Sequence, residues 1–277
     1  MSPYRVILTL FLTFSLPLTA IYQDKLDQNQ GIYFTIRTSK SNYLLGENAW
    51  LKISLINNSE EDYYYTGFFV GGAIRTLVTS PFNNQRNELA GSVDWWPIKK
   101  VLRKNDTLIY YHQLNDGIKG GDGNYSVVCS FQNIQSNTIS FDITEPVNDD
   151  RTVFENIREI HKKVNTNPKY RESSKNDYEG LYYKYPVSPY TPSLYFKIVL
   201  NGIITDSLRY EQLYTDFYEK YNNSYEVYYA LLYHQFYLEK IKELNSSDIN
   251  SEIAKLAEQY PGTMTEEVSM YLLKKSK

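Results

Sequence analysis

The stretch SNYLLGENAWLKISLINNSEEDYYY runs from Ser41 to Tyr65, and its centre decides the fold class of the first half of the chain. In AWLKISLIN, Ala49, Leu51, Ile53 and Leu55 fall on one side, with Trp50, Lys52 and Ser54 on the other. A period of two with one apolar side predicts a half-buried β-strand. Before it, SNYLLGEN reads as a turn cluster. Gly46 reverses the chain there at low steric cost, and Glu47 is expected to stay solvated. After it, NNSEED (Asn57 to Asp62) turns the chain again with side chains that bond their own backbone.

The same pattern recurs outward from this segment. IYFTIRTS (Ile32 to Ser39), YYYTGFFV (Tyr63 to Val70), AIRTLVTS (Ala73 to Ser80), TLIYYHQL (Thr107 to Leu114), YSVVCSF (Tyr125 to Phe131) and NTISFDIT (Asn137 to Thr144) all read as strands. No helix-length stripe interrupts them. Each strand has one apolar face to bury, which predicts an all-β two-sheet sandwich over residues 31–144. In GDGNYSVVC (Gly121 to Cys129), a Gly-x-Tyr enters a late strand. With YLLGENAWLKISLIN and SNTISFDI, this half resembles the immunoglobulin-like domains of secreted bacterial proteins. It is also broadly similar to the sandwich of intracellular proteinase inhibitors. The resemblance implies a tyrosine corner, in which the Tyr125 hydroxyl bonds back to nearby backbone. Cys129 is the single cysteine, so the antibody-type disulfide is not implied.

EPVNDD (Glu145 to Asp150) reads as a polar linker, with Asp149 or Asp150 available to cap a following helix. Beyond it the period changes to that of a helix. RTVFENIREIHKKV sets Val153, Phe154, Ile157, Ile160 and Val164 on one face. LRYEQLYTDFYEKY does the same with Tyr210, Leu213, Tyr214, Phe217 and Tyr221, a stripe expected to face the core. Three segments then share a form: a helix ends at Tyr185, Tyr221 or Tyr260, Pro or Asn comes next, and a short polar turn leads into another helix. The marker tyrosines lie 36 and 39 residues apart. This tail, residues 151–277, resembles the tetratricopeptide-like repeats of bacterial envelope proteins, with YPVSPY (Tyr185 to Tyr190) the nearest match. The resemblance implies an all-α domain of helical hairpins.

Whole-chain properties bound the function. A chain of 277 residues suggests about two domains. A net charge of -3 offers no electrostatic footprint for nucleic acid. Residues 1–20 read as a secretory signal: Arg5, the apolar run Val6 to Leu18, and the small Ala20 at the cleavage position. No other run reaches the ~20 apolar residues of a membrane span, so no transmembrane segment is expected in the mature chain. These features predict a secreted or periplasmic location.

Motifs for chemistry are sparse. His112, His161 and His234 are the only histidines, and no HExxH, Cys/His cluster, nucleophile elbow or phosphate loop occurs. Asp116 and Asp122 lie among four glycines, but their spacing fits no calcium loop and reads as a tight connection. Cys129 reads as a small buried hydrophobe. No metal or other cofactor is therefore expected. Trp95 and Trp96 in SVDWWPIKK would point to opposite faces of a strand, so one of them is expected at the surface as a binding residue. The expected function is non-enzymatic: a binding or scaffold protein of the bacterial envelope with a protein or glycan partner. The rivals are a peptidase inhibitor acting through sandwich loops and a carbohydrate-active enzyme built on a carboxylate pair.

Overall fold

The computed structural model describes residues 31–66, 74–81, 85–90, 99–114, 121–132, 134–167, 169–205 and 207–275. Strands fill the first half and seven helices the second.

The described strands are β1 (Ile32–Thr38), β2 (Asn42–Leu44), β3 (Trp50–Asn57), β4 (Tyr63–Thr66), β5 (Ile74–Thr79), β6 (Gln85–Ala90), β7 (Lys99–Leu102), β8 (Asp106–Gln113), β9 (Gly123–Phe131), β10 (Ile134–Gln135) and β11 (Ile139–Thr144). They form a sheet ordered β1-β3-β8, a larger sheet ordered β2-β11-β9-β5-β6 with β10 on β9, and a β4-β7 ribbon. The two larger sheets turn their alternating apolar residues toward one core. Phe34, Ile36, Leu51, Ile53 and Leu55 come from the first; Ile74, Val78, Tyr125, Val127, Phe131, Phe141 and Ile143 come from the second. The Phe34 and Phe131 rings, 6.0 Å apart, join the sheets. Each such side chain contributes about 1.5–3 kcal/mol when fully buried. Cys129 is buried, its sulfur 3.3 Å from the Thr76 hydroxyl. At the outer edge of β1 one side chain takes both backbone groups of a residue: the Ile36 N–H donates to Asn137 Oδ1 (2.8 Å), and Asn137 Nδ2 donates to the Ile36 carbonyl (3.0 Å).

Three local expectations change. SNYLLGEN contains a strand, β2, which pairs in parallel with β11. Glu47 is not left in water: Lys40 pairs with it and the Leu44 N–H donates to its carboxylate (3.0 Å), while burial pushes its pKa up. And β3 is buried on both faces. Its second face, carrying Trp50, meets the helical half, where the Trp50 ring lies 5.1 Å from that of Tyr229.

A three-residue connection, 145–147, leads from β11 to α1 (Asn148–Thr166). The other helices are α2 (Tyr170–Lys184), α3 (Thr191–Thr205), α4 (Ser207–Tyr221), α5 (Glu226–Lys240), α6 (Ser246–Gln259) and α7 (Met264–Lys275). Val153 and Ile160 of α1 are buried, with Phe154, Ile157 and Val164 packed beside them. Neither Asp149 nor Asp150 caps this helix. Val147 holds the cap position without a side-chain bond, and both acids lie in the first turn, where the helix dipole favours them. Tyr210, Leu213, Tyr214 and Phe217 of α4 face the core as expected, and Tyr218 joins them. Tyr185, Tyr221 and Tyr260 all stand at helix ends. Three residues after each comes a hydroxyl residue: Ser188, Ser224 or Thr263. Ser188 and Ser224 close the turn through backbone bonds to Tyr185 and Tyr221 (3.2 and 2.8 Å), and Thr263 does so through its hydroxyl on the Tyr260 carbonyl (2.6 Å).

Candidate functional site

The halves meet on the outer face of the β1-β3-β8 sheet. Register places Lys52 opposite Tyr111 and Arg37 opposite Lys52, so all three project from the same face. Glu267 of α7 gathers them. Tyr111 donates its hydroxyl to Glu267 (2.6 Å), Lys52 pairs with the same carboxylate, and Arg37 reaches it at 3.3 Å. Burial acts to raise the Glu267 pKa, but the bonds from Lys52 and Tyr111 outweigh it and hold the carboxyl below its usual range. Burial, then the bond to Glu267, pushes the Tyr111 phenol well above its ordinary value, so it serves as a neutral donor. Tyr111 also packs against the rings of Tyr225 and Tyr228 (5.4 and 4.8 Å).

From this cluster α7 runs back along β8, because its other end is held by a Lys274–Asp106 ion pair. Glu267, Met270, Tyr271 and Lys274 recur at helical spacing on one side of α7. Facing them, Thr107 and Ile109 of β8 share the face of Tyr111. A cleft of about 580 Å³ lies between the two elements, closed at its far wall by Asn250 and Leu273. Its lining is mostly apolar. Met270 stands at the mouth and is 56% exposed. Ion pairs link helix and strand at both ends of the cleft.

A second groove of about 380 Å³ separates α1 from α2. It mixes Glu159, Lys163, Asp177 and Lys184 with Ile160 and Leu181, and charges of both signs alternate along it. His234 lies in neither opening. It stacks on Tyr214 at 3.6 Å, with Tyr210 and Tyr237 alongside, and burial pulls its pKa down to about 3. A histidine held neutral inside an aromatic cluster packs rather than reacts. Among the described residues no three His, Cys, Asp or Glu side chains gather as a metal site.

Trp95 and Trp96, the binding residues expected from sequence, lie outside the described residues, as do Asp116 and residues 1–20. His112, His161 and His234 fall on β8, α1 and α5, and His161 packs against Tyr178 rather than against another histidine. Sequence reading did not find Lys52, Tyr111, Glu267 or Met270 as a group. The one available signal was Lys52 beside Trp50 on the second face of a strand, a face that reads as solvent-exposed when nothing local shows what covers it.

No family model matches the sequence, and no curated protein does. Among solved structures, a β-glucosidase from Listeria innocua aligns at 14% identity and a TM-score of 0.28 over 42% of this chain. The chain spans 17% of that enzyme's length. The alkylpurine DNA glycosylase AlkC of Pseudomonas fluorescens aligns at 9% identity and 0.28, covering 41% of this chain and 30% of that one. The CARDB domain of a Pyrococcus furiosus protein aligns at 8% identity and 0.26, covering 41% of this chain and 87% of that domain. No helix among the described residues is long and apolar enough to cross a membrane.

Proposed function

We propose that the chain is an exported, non-enzymatic binding or scaffold protein of a bacterial envelope. In this reading an immunoglobulin-like sandwich domain over 31–144 is joined to a tetratricopeptide-like domain over 151–277. The observation that carries it is the cleft between β8 and α7. Both halves supply its walls, and the Glu267 cluster and the Asp106–Lys274 pair tie those walls together at either end. An apolar, open cleft with an exposed methionine among its lining residues suits recognition of a macromolecule. The signal-like residues 1–20 support export, and Trp95 and Trp96 are the aromatic binding residues this reading proposes.

Expression in a bacterial host, then mass spectrometry of the exported chain, tests the first half of this reading. The expected mature N-terminus is Ile21, and intact Met1 in the cytosol would overturn export. Crosslinking in the intact envelope and subsequent affinity capture test the second half. A discrete partner, captured only with crosslinker and only from envelope fractions, is the expected result. No enriched protein or glycan over a mock capture would overturn the binding role.

A further inference from the structure

We infer that the β8–α7 cleft is a pocket for a small, neutral, mostly apolar molecule that carries one hydrogen-bonding group at its end. The inference rests on the proposed function only in placing recognition at this cleft; size, charge and polarity come from the lining.

Size comes first. Both ends of the cleft are occupied. Glu267, with Lys52, Tyr111 and Arg37, stands at one end, and the Lys274–Asp106 pair stands at the other. Glu267 and Lys274 lie two turns apart on α7, so the space between them is about 10 Å long. A polypeptide running on past the site would have to displace an ion pair at each end. A compact molecule displaces neither. The cleft volume of about 580 Å³ also falls within the ~300–1,000 Å³ of small-molecule sites.

Charge and polarity select the ligand further. Glu267 and Lys274 are the charged side chains that line the cleft among the described residues, and both are already paired. A charged ligand would enter a mostly apolar space with no counter-ion to meet, and burying an unpaired charge is costly. A neutral ligand avoids that cost. Its apolar body is matched by Ile109 on the strand and by Met270 and Leu273 on the helix, with the methionine free to repack around different shapes. Two lining side chains remain for polar recognition. The Thr107 hydroxyl and the Asn250 amide belong to half-buried residues and make no hydrogen bond to any described residue. Each can donate and accept, so a hydroxyl, carbonyl or carboxamide fits. The class is a medium-length alkyl chain or compact ring system ending in one such uncharged group.

The test uses the full chain and N-phenyl-1-naphthylamine, a neutral dye that brightens in apolar surroundings. Octanamide and octanoate then compete for the site at pH 8, where they differ in the charge of the head and share the chain. Saturable binding of one dye per chain is expected, with octanamide displacing it about tenfold or more better than octanoate. Met270 is exposed, so Met270→Asp should melt with the wild type while dye binding weakens about tenfold. Asn250→Leu keeps the apolar volume and should weaken octanamide about fivefold. The comparison of the two competitors needs no variant. No saturable binding, equal displacement by octanamide and octanoate, or binding unchanged in both variants overturns the inference. A dimer in sedimentation that Met270→Asp abolishes, with no dye bound, puts a second copy in the cleft and also overturns it. A partner captured from the envelope without dye binding leaves the binding role standing and removes the pocket; dye binding with no captured partner does the reverse.

Discussion

Tyr125 has a buried ring, stacked 5.9 Å from Phe141, and a hydroxyl that donates to the Gly121 carbonyl (2.8 Å). The two parts can be separated by substitution. In urea unfolding of the full chain, Tyr125→Phe is expected to cost about 1 kcal/mol for the bond. Tyr125→Ala should cost about 3–5 kcal/mol, because the packing goes as well. A wild-type midpoint for Tyr125→Ala would show that the ring does not close the core. This residue was legible because its partner lies four residues back, within reach of a local pattern. His234 was not, since the rings around it come from α4 and from its own helix together. Its folded pKa of about 3 lies below the ordinary ~6.5 of histidine. The unfolded chain thus takes up a proton that the folded chain excludes. Stability from this group is full above about pH 6.5 and declines toward pH 3, by up to ~1.4 kcal/mol per pH unit. His234→Phe keeps the stack and removes the titration, so its stability should fall less steeply across that window. Equal slopes would mean the imidazole is protonated in place.

Among the elements, the turns carry most of the local information. Gly46 has φ +83°, and a Cβ there would lie 2.4 Å from the Phe154 ring of α1. Gly46→Ala therefore meets both backbone strain and a clash between the halves. A loss of about 2–4 kcal/mol is expected in thermal or denaturant melts; a loss under about 0.5 kcal/mol would show that α1 yields. The turns after Tyr185, Tyr221 and Tyr260 were readable because a helix-stopping Pro or Asn comes next in sequence, within a short polar run. Thr263 bonds the Tyr260 carbonyl (2.6 Å) and accepts the Glu266 N–H (3.4 Å), so Thr263→Ala should cost about 1 kcal/mol. Helical signal by circular dichroism, tracked through melting, measures it. β2 and β7 were not readable. They hold three and four residues, too few to show alternation, and each exists because a partner far along the chain completes its hydrogen bonds.

The change of period near residue 147 made the two halves legible; their contact was not. The face carrying Trp50, Lys52 and Tyr111 is covered by residues of α5 and α7, far along the chain, and no local pattern reports such a cover. The same separation hid the cleft, whose strand and helix belong to different halves of the chain. Glu267→Gln should therefore act on the assembled molecule. Lys52 would keep a neutral acceptor in place of a charge, at a cost of about 2 kcal/mol in a single unfolding transition. Two resolved transitions, with only the helical one shifted, would show that the halves melt apart. A protease cut between Glu145 and Asp150 is expected to leave both pieces eluting as one particle, because the Trp50, Tyr111 and Glu267 contacts outlast the peptide link. The blocked edge of β1 has a further consequence. A strand that offers a run of free backbone groups can template a neighbouring chain, and a sheet open on both sides can polymerise. On β1 that run is broken at Ile36, whose N–H and carbonyl are both taken by one Asn137 amide, so this edge makes a poor seed for a fibre.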